Sequence, residues 1–91
     1  MRNKKFIIDS IKMDLYRVVT ASGNIDKELP KQSVIEFMKH ADKDFEKTKL
    51  TKREQMLREQ LKNLLNKLPN IKNSNSRLKW AEDILTIRCR L

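Results

Sequence analysis

The sequence predicts an all-α fold, a four-helix antiparallel bundle made from one domain of 91 residues. Three observations support this fold class. Apolar residues recur at helical spacing in four segments, one glycine and two prolines leave little turn chemistry for β-hairpins, and the linking segments are short. We expect helices over roughly residues 4–20, 33–48, 52–68 and 76–90, with each helix antiparallel to the next.

The first helix is predicted from one apolar stripe at 3.6 residues per turn. The stripe consists of Ile7, Ile8, Ile11, Leu15, Val18 and Val19. Gly23 and Asn24 are expected to end the helix, because a left-handed backbone costs little at these residue types.

The second and third helices are each predicted to begin at a capping box. In the second helix Ser33 would cap the first turn while Glu36 reaches back to the chain. In the third helix Thr51 and Glu54 have the same spacing, and Pro69 ends the helix.

The third helix is predicted to be a wall of the core rather than a reader of a DNA groove. Its leucines cover an arc of about 100°, the width of a helix laid on a core. They are Leu57, Leu61, Leu64, Leu65 and Leu68. Glu59 lies in the middle of the opposite, polar face and would repel phosphate, and the leucine seam is too short for a coiled coil.

The fourth helix is expected to begin at Ser74 or Ser76, and its apolar arc spans about 200°. Arg77 and Arg88 lie inside that arc. Such a helix is either central in the bundle or covered on its second side by another molecule. Within this helix Trp80 is predicted to anchor the core, because an indole buries a large apolar area.

A second apolar surface is predicted on the first helix. Phe6 and Met13 are seven residues apart and nearly opposite the buried stripe, with Tyr16 and Arg17 beside them. Aromatic residues, Met and Arg are enriched at protein interfaces. We therefore expect these four residues to bind a protein partner or a second copy of the chain, unless an irregular core buries them.

The net charge of +9 suggests a second kind of partner, a nucleic acid. The basic residues that would contact phosphates cluster at the turn between the second and third helices and on the adjacent flank. They are Lys47, Lys49, Lys52, Arg53 and Arg58. However, 14 Lys and seven Asn are typical of an AT-rich, bacterial or phage-like genome, and this origin weakens charge as an argument for a site.

Two functions follow from these surfaces. The favoured one is a small non-catalytic protein-binding module, such as a regulator, an inhibitor or an immunity-type protein. The alternative is a basic nucleic-acid-binding module that acts mainly through phosphate contacts. Small basic helical immunity proteins of Gram-positive bacteria are similar to this chain in size and class only.

Catalysis is not expected. The single histidine, His40, has Glu36 four residues before it and Asp44 four residues after it, a spacing that favours surface ion pairing over a metal site, which needs ligands from a second element. No nucleophile lies at a readable spacing from a base, and a single glycine cannot form a phosphate-binding loop. We expect neither an enzyme nor a cofactor.

A cytoplasmic location without a membrane span is expected. Cys89 is the only cysteine, which suits a reducing compartment, and it lies at the edge of an apolar arc, where we expect it to be buried. No run approaches the ~20 apolar residues of a transmembrane helix.

Overall fold

The computed structural model describes residues 3–23 and 27–91 of the chain, and every regular element in these ranges is helical. The elements in chain order are α1 (Lys4–Gly23), α2 (Lys31–Phe45), α3 (Lys52–Lys67), a 3-10 turn (Leu68–Asn70) and α4 (Ser74–Arg90). The predicted all-α bundle is confirmed.

The four helices form a closed ring in which each runs antiparallel to its neighbours. Ser10 of α1 donates to Asp44 of α2. One turn later on α1, Asp14 bonds to His40, which lies one turn earlier on α2. On α4, Arg77 donates to Ser22 of α1 while Arg88 donates to Lys12, so this pair also runs in opposite directions. α3 closes the ring between α2 and α4.

The start of α3 confirms the predicted capping box. The amide of Glu54 donates to Thr51 Oγ1 at 3.2 Å, and the amide of Thr51 donates to Glu54 Oε1 at 2.9 Å. The same carboxylate oxygen lies 2.6 Å from Lys4 Nζ, which links the first turns of α1 and α3.

The capping box predicted at Ser33 is wrong. α2 begins two residues earlier, directly after Pro30, and its first turn has no side-chain cap. Pro30 is the residue before the first helical turn, and its carbonyl accepts from the amide of Val34 at 3.0 Å. It has no amide hydrogen of its own to satisfy. Ser33 therefore lies inside the first turn, and Glu36 instead accepts from Gln32.

The start of α4 also differs from the prediction, and the end of α1 agrees with it in position only. α4 is capped by Asn73, whose side chain accepts from the amide of Ser76 at 2.8 Å, and not by Ser74 or Ser76. α1 continues to Gly23 without a left-handed residue in its described part. The second residue of the predicted stop, Asn24, lies outside the described residues.

The core lies between the four predicted stripes. Its buried members are Ile7, Ile8, Ile11, Leu15, Val18, Val34, Met38, Ala41, Phe45, Leu57, Leu61, Leu64, Leu68, Trp80, Ile84 and Ile87. Leu65 and Val19 pack against this cluster at its edge. The leucine face of α3 is thus a core wall, as predicted.

Among the residues that the structure describes, none of the helices combines the length and the apolar character needed to cross a membrane.

Trp80 anchors the interface between α3 and α4, which confirms its predicted place in the core. Its side chain is buried, and its indole nitrogen donates to the carbonyl of Leu64 at 2.7 Å. The hydrogen bond satisfies the one polar atom that burial of an indole would otherwise leave without a partner.

Replacing Trp80 with Ala should lower the free energy of unfolding by about 3–5 kcal/mol, because the ring leaves a cavity in the core. Trp80→Phe keeps most of the apolar contact and loses the hydrogen bond, so a smaller cost is expected. Urea denaturation followed by circular dichroism measures both. Equal stability of Trp80→Ala and wild type would contradict burial of the ring.

Arg77 is a buried arginine that joins the start of α4 to the end of α1. Its Nε donates to the carbonyl of Ser22 at 2.6 Å, and a terminal nitrogen donates to the carbonyl of Lys27 at 2.7 Å. A longer contact of 3.5 Å reaches the carbonyl of Ala21. The last carbonyls of a helix have no intrahelical donor, so this guanidinium satisfies the final turn of α1 and adds positive charge at its negative dipole end.

Loss of this guanidinium should be costly. Each carbonyl left without a donor costs roughly 1–3 kcal/mol, so Arg77→Ala is expected to lower the free energy of unfolding by about 2–4 kcal/mol. Arg77→Lys should recover only part of the loss, since one ammonium cannot reproduce the forked geometry. Arg53→Ala, at an exposed position, is the control. Chemical denaturation in which Arg77→Ala and Arg53→Ala behave alike would refute the assignment.

Candidate protein-binding surface

The side of α1 that faces away from the core carries three large exposed apolar residues. Phe6, Met13 and Tyr16 are 58%, 50% and 54% exposed. The alternative that an irregular core buries them is therefore wrong. They lie on the predicted partner surface.

Arg17 borders this surface on the side of α2. Its guanidinium lies over the ring of Phe37 at 5.8 Å from the ring centre, and it reaches Asp14 Oδ1 at 3.4 Å. About half of the side chain is exposed. The predicted fourth member of the surface is therefore held in place by α2 rather than extending freely from α1.

α4 adds two residues to the same side of the bundle. Leu78 and Leu85 are 40% and 42% exposed, because α4 packs against α1 and α3 and is not central in the bundle. Of the two predicted explanations for its wide apolar arc, a central position is excluded. The exposed leucines themselves were not singled out by sequence reasoning, although they belong to that arc.

The register of α4 on α1 places Leu85 near the level of Tyr16 and Leu78 near the end of α1. Arg88, one turn after Leu85, donates from Nε to the carbonyl of Lys12 at 3.2 Å, and its guanidinium lies 5.5 Å from the centre of the Tyr16 ring. Since Arg77 lies at the level of Ser22, Leu78 lies near the end of α1.

The five apolar residues thus follow a diagonal line on one side of the bundle, which we call the apolar strip. It consists of Phe6, Met13 and Tyr16 on α1 and Leu85 and Leu78 on α4. Its ends correspond to about 16 residues of helix, or about 24 Å along the bundle axis at 1.5 Å per residue. Exposed apolar residues scattered singly need no explanation, whereas several large ones gathered on one side of a protein point to an interaction site.

A second feature, a polar cluster, lies in the seam between α1 and α2. His40 Nδ1 bonds to Asp14 Oδ2 and lies 3.6 Å from Asp44 Oδ2. Asp44 also accepts from Ser10 at 2.9 Å and pairs with Lys47 at 2.8 Å. Both carboxylates are buried.

Sequence reasoning identified only part of this cluster. The predicted pairing of His40 with Asp44 is present, but the second carboxylate is Asp14 of α1 and not Glu36. A signal for Asp14 existed, because it is an acidic residue at a position adjoining the stripe of Ile11, Leu15 and Val18. The spacing of apolar residues does not predict which helix packs against that position.

The cluster has the ligand types of a metal site, since the three ligand atoms of Asp14, His40 and Asp44 lie within 4.8 Å of one another. Its charges argue for a different role. Arg17 and Lys47 already supply one positive charge to each carboxylate, so a divalent ion would add an excess of positive charge. We assign the cluster to holding α1 against α2.

The pKa of Asp44 reflects this arrangement. Burial by itself would raise the pKa of the carboxyl, but the hydrogen bonds from Lys47 and Ser10 and the nearby charges of His40 and Lys47 together hold it below its ordinary value. The folded chain thus favours the ionised form of Asp44 more strongly than the unfolded chain does.

A pH dependence follows from this shift. Asp44 stabilises the fold fully above its ordinary pKa of 3.8, and its contribution is lost as the pH falls through the lower pKa of the folded chain. Asp44→Asn should reduce the stability at neutral pH. Below pH 3.8 the variant should lose less stability than the wild type as the pH falls. Urea midpoints measured along a pH series give the comparison, with Asp9→Asn as an exposed control. If the urea midpoints of wild type and Asp44→Asn fell equally with decreasing pH, the lowered pKa of Asp44 would make no contribution to stability.

The basic residues proposed for nucleic acid are divided by the fold. Lys47 pairs with Asp44, and Arg58 is held by Asp42 and Glu46 at 2.8 and 2.9 Å. The remaining three are exposed around the turn between α2 and α3: Lys49, Lys52 and Arg53. Two of the five predicted phosphate contacts are therefore already neutralised within the protein.

The expected burial of Cys89 is wrong, because this residue is exposed on α4. Cys89 lies at the edge of the apolar arc of α4, and the contact between α1 and α4 does not extend as far as that edge.

Comparisons with protein-family models, with curated proteins and with solved structures find no match to this chain.

Proposed function

We propose that this chain is a small non-catalytic protein-binding module, of the regulator, inhibitor or immunity type, that docks another protein on the apolar strip. The observation that carries the proposal is the juxtaposition of exposed Phe6, Met13 and Tyr16 with exposed Leu78 and Leu85 on two neighbouring helices. Burial of such side chains at an interface would contribute favourably through the area removed from water.

The surroundings of the strip support protein binding over phosphate binding. Phosphate contacts need cations that extend into solvent, whereas Lys47 and Arg58 are engaged by carboxylates of α2. The strip, in contrast, combines aromatic, Met and Leu side chains with Arg17 and Arg88 at its borders. Aromatics, Met and Arg are the types enriched at protein interfaces.

A cytoplasmic location accompanies this proposal. Its support is the single cysteine, Cys89, which leaves the chain without an internal disulfide.

The proposal is tested by asking whether a partner meets the strip and no other face. A photo-reactive phenylalanine analogue replaces Tyr16 in one variant and Met56 in another, since Met56 is 64% exposed on α3. The chain in its own cells should form a defined protein adduct from position 16 and not from position 56. The adduct identifies the partner, which is then purified for binding measurements.

Phe6→Ala combined with Met13→Ala should weaken binding of that partner by about 30-fold or more, because a buried anchor residue contributes about 2 kcal/mol. The fold should stay nearly as stable, since truncation at exposed positions usually changes stability by about 0.5 kcal/mol or less. Isothermal titration and urea denaturation measure the two quantities.

Met56→Ala is the matched control and should bind the partner as wild type does. If the double variant bound equally well, the strip would have no role. Strong destabilisation of the double variant would instead place Phe6 and Met13 in the core.

A further inference from the structure

The borders of the apolar strip are positively charged. Lys5 and Lys12 lie on the α4 side of the outer face of α1, Arg17 lies on the α2 side, and Arg88 reaches in from α4. We call these four residues the cationic rim. Three carboxylates offset part of this charge: Asp14 pairs with Arg17, and Asp9 of α1 and Glu82 of α4 lie on the same surface. Four cations against three carboxylates still leave the balance positive.

The two arginines of the rim are held by aromatic rings on opposite sides of α1. Arg17 lies over Phe37 of α2, and Arg88 lies over Tyr16, with its Nε bonded to the carbonyl of Lys12. Such contacts restrict the guanidinium before any partner arrives, so less entropy is lost when it binds a carboxylate. Arginine is also the side chain best suited to paired hydrogen bonds with a carboxylate.

The dimensions of the strip suit a helix. It runs diagonally across two antiparallel helices for about 24 Å, the rise of about 16 helical residues. A helix is roughly 10 Å wide, so acidic residues on both of its flanks would come close to the rim on either side. An amphipathic helix presents its apolar residues in one stripe at i, i+3, i+4 and i+7, as helix-in-groove recognition requires.

A second copy of this chain fits the surface poorly. A two-fold interface joins the same patch on both subunits, so it would bring the rim of one copy against the rim of the other. Each copy also carries a net charge of +9. Like charges placed across an interface are unfavourable, and the carboxylates of Asp9, Asp14 and Glu82 offset the four cations of the rim only in part.

We propose that the occupant of the strip is an acidic amphipathic helix of another protein, with apolar residues along one face and Asp or Glu on both flanks. This inference rests on the proposed function and specifies the chemistry of the partner.

The probe is a fluorescein-labelled synthetic helix of 18 residues with one apolar stripe and Glu on both flanks. A second peptide has the same stripe with Lys on the flanks. We expect the acidic peptide to bind the full chain, the Lys peptide to bind at least about tenfold more weakly, and added salt to reduce the difference. Fluorescence anisotropy gives the dissociation constants.

Two charge-reversal variants with the same net charge locate the binding site. Lys5→Glu with Lys12→Glu alters the rim, and Lys49→Glu with Lys52→Glu alters the exposed turn between α2 and α3. The rim variant should bind the acidic peptide about tenfold more weakly, and the turn variant should bind it nearly as wild type does. Phe6→Ala with Met13→Ala should abolish binding.

Several results would overturn the inference. Equal binding of the acidic and Lys peptides, no binding of the acidic peptide, or equal losses in the rim and turn variants would each reject an acidic helix as the occupant. A dimer in analytical ultracentrifugation that Phe6→Ala with Met13→Ala dissociates would make a second copy the occupant. Duplex DNA that displaces the peptide and needs Lys5 and Lys12 would make it a nucleic acid.

The proposed function is judged separately, by the adduct formed from position 16 and its dependence on Phe6 and Met13. Peptide failure with a specific adduct would reject only the acidic helix, whereas loss of the specific adduct would reject the protein-binding function itself.

Discussion

The guanidinium of Arg77 links the end of α1 to the start of α4. It lies at the first turn of α4 and satisfies carbonyls at the end of α1 and at Lys27. Because one guanidinium binds both carbonyls, their positions and that of the start of α4 are set together. This anchor also determines which residue of α1 lies opposite each later residue of α4. One such contact is that of Arg88 with Lys12 and Tyr16. The diagonal course of the apolar strip is thus a consequence of a buried polar interaction.

The opposite side of α1 is held by charge. Asp14 and Asp44 are buried in the seam with α2, and each has a cation as well as His40 beside it. A buried carboxylate without such partners would be strongly destabilising, and a paired one costs little or contributes a modest net stability. Pairs of this kind also depend on exact placement, so they restrict the angle and register at which α1 meets α2. The outer face of α1 is then presented in one orientation.

Apolar residues on that outer face contribute little to folding while they remain exposed. Met13 and Tyr16 remain about half exposed, although α1 has a complete buried stripe of its own. In the proposed complex, the rim of Lys and Arg around them would also disfavour association of two copies through these residues, since like charges repel. The same rim would strengthen recognition of a partner with the opposite charge. Under the proposed function, this one arrangement would both limit self-association and favour acidic partners, a combination of repulsion and attraction used for specificity.

The sequence alone determined the helical class, the number of helices and the buried stripes. Periodicity is a local property, and the leucines of α3 and the capping pair of Thr51 and Glu54 are recorded directly in the spacing. The outer position of Phe6 and Met13 followed for the same reason, because residues seven apart lie on one face of a helix.

Only the tertiary structure decided which residues from different helices meet. The pairing of Asp14 with His40, the contact of Arg77 with the end of α1 and the addition of Leu78 and Leu85 to the surface all join residues distant in sequence. These contacts depend on helix rotation and register, which result from packing side chains from several helices at once. The wrong prediction of a cap at Ser33 has a related cause. Pro30 offers a second possible helix start, and capping preferences alone do not decide between the two starts.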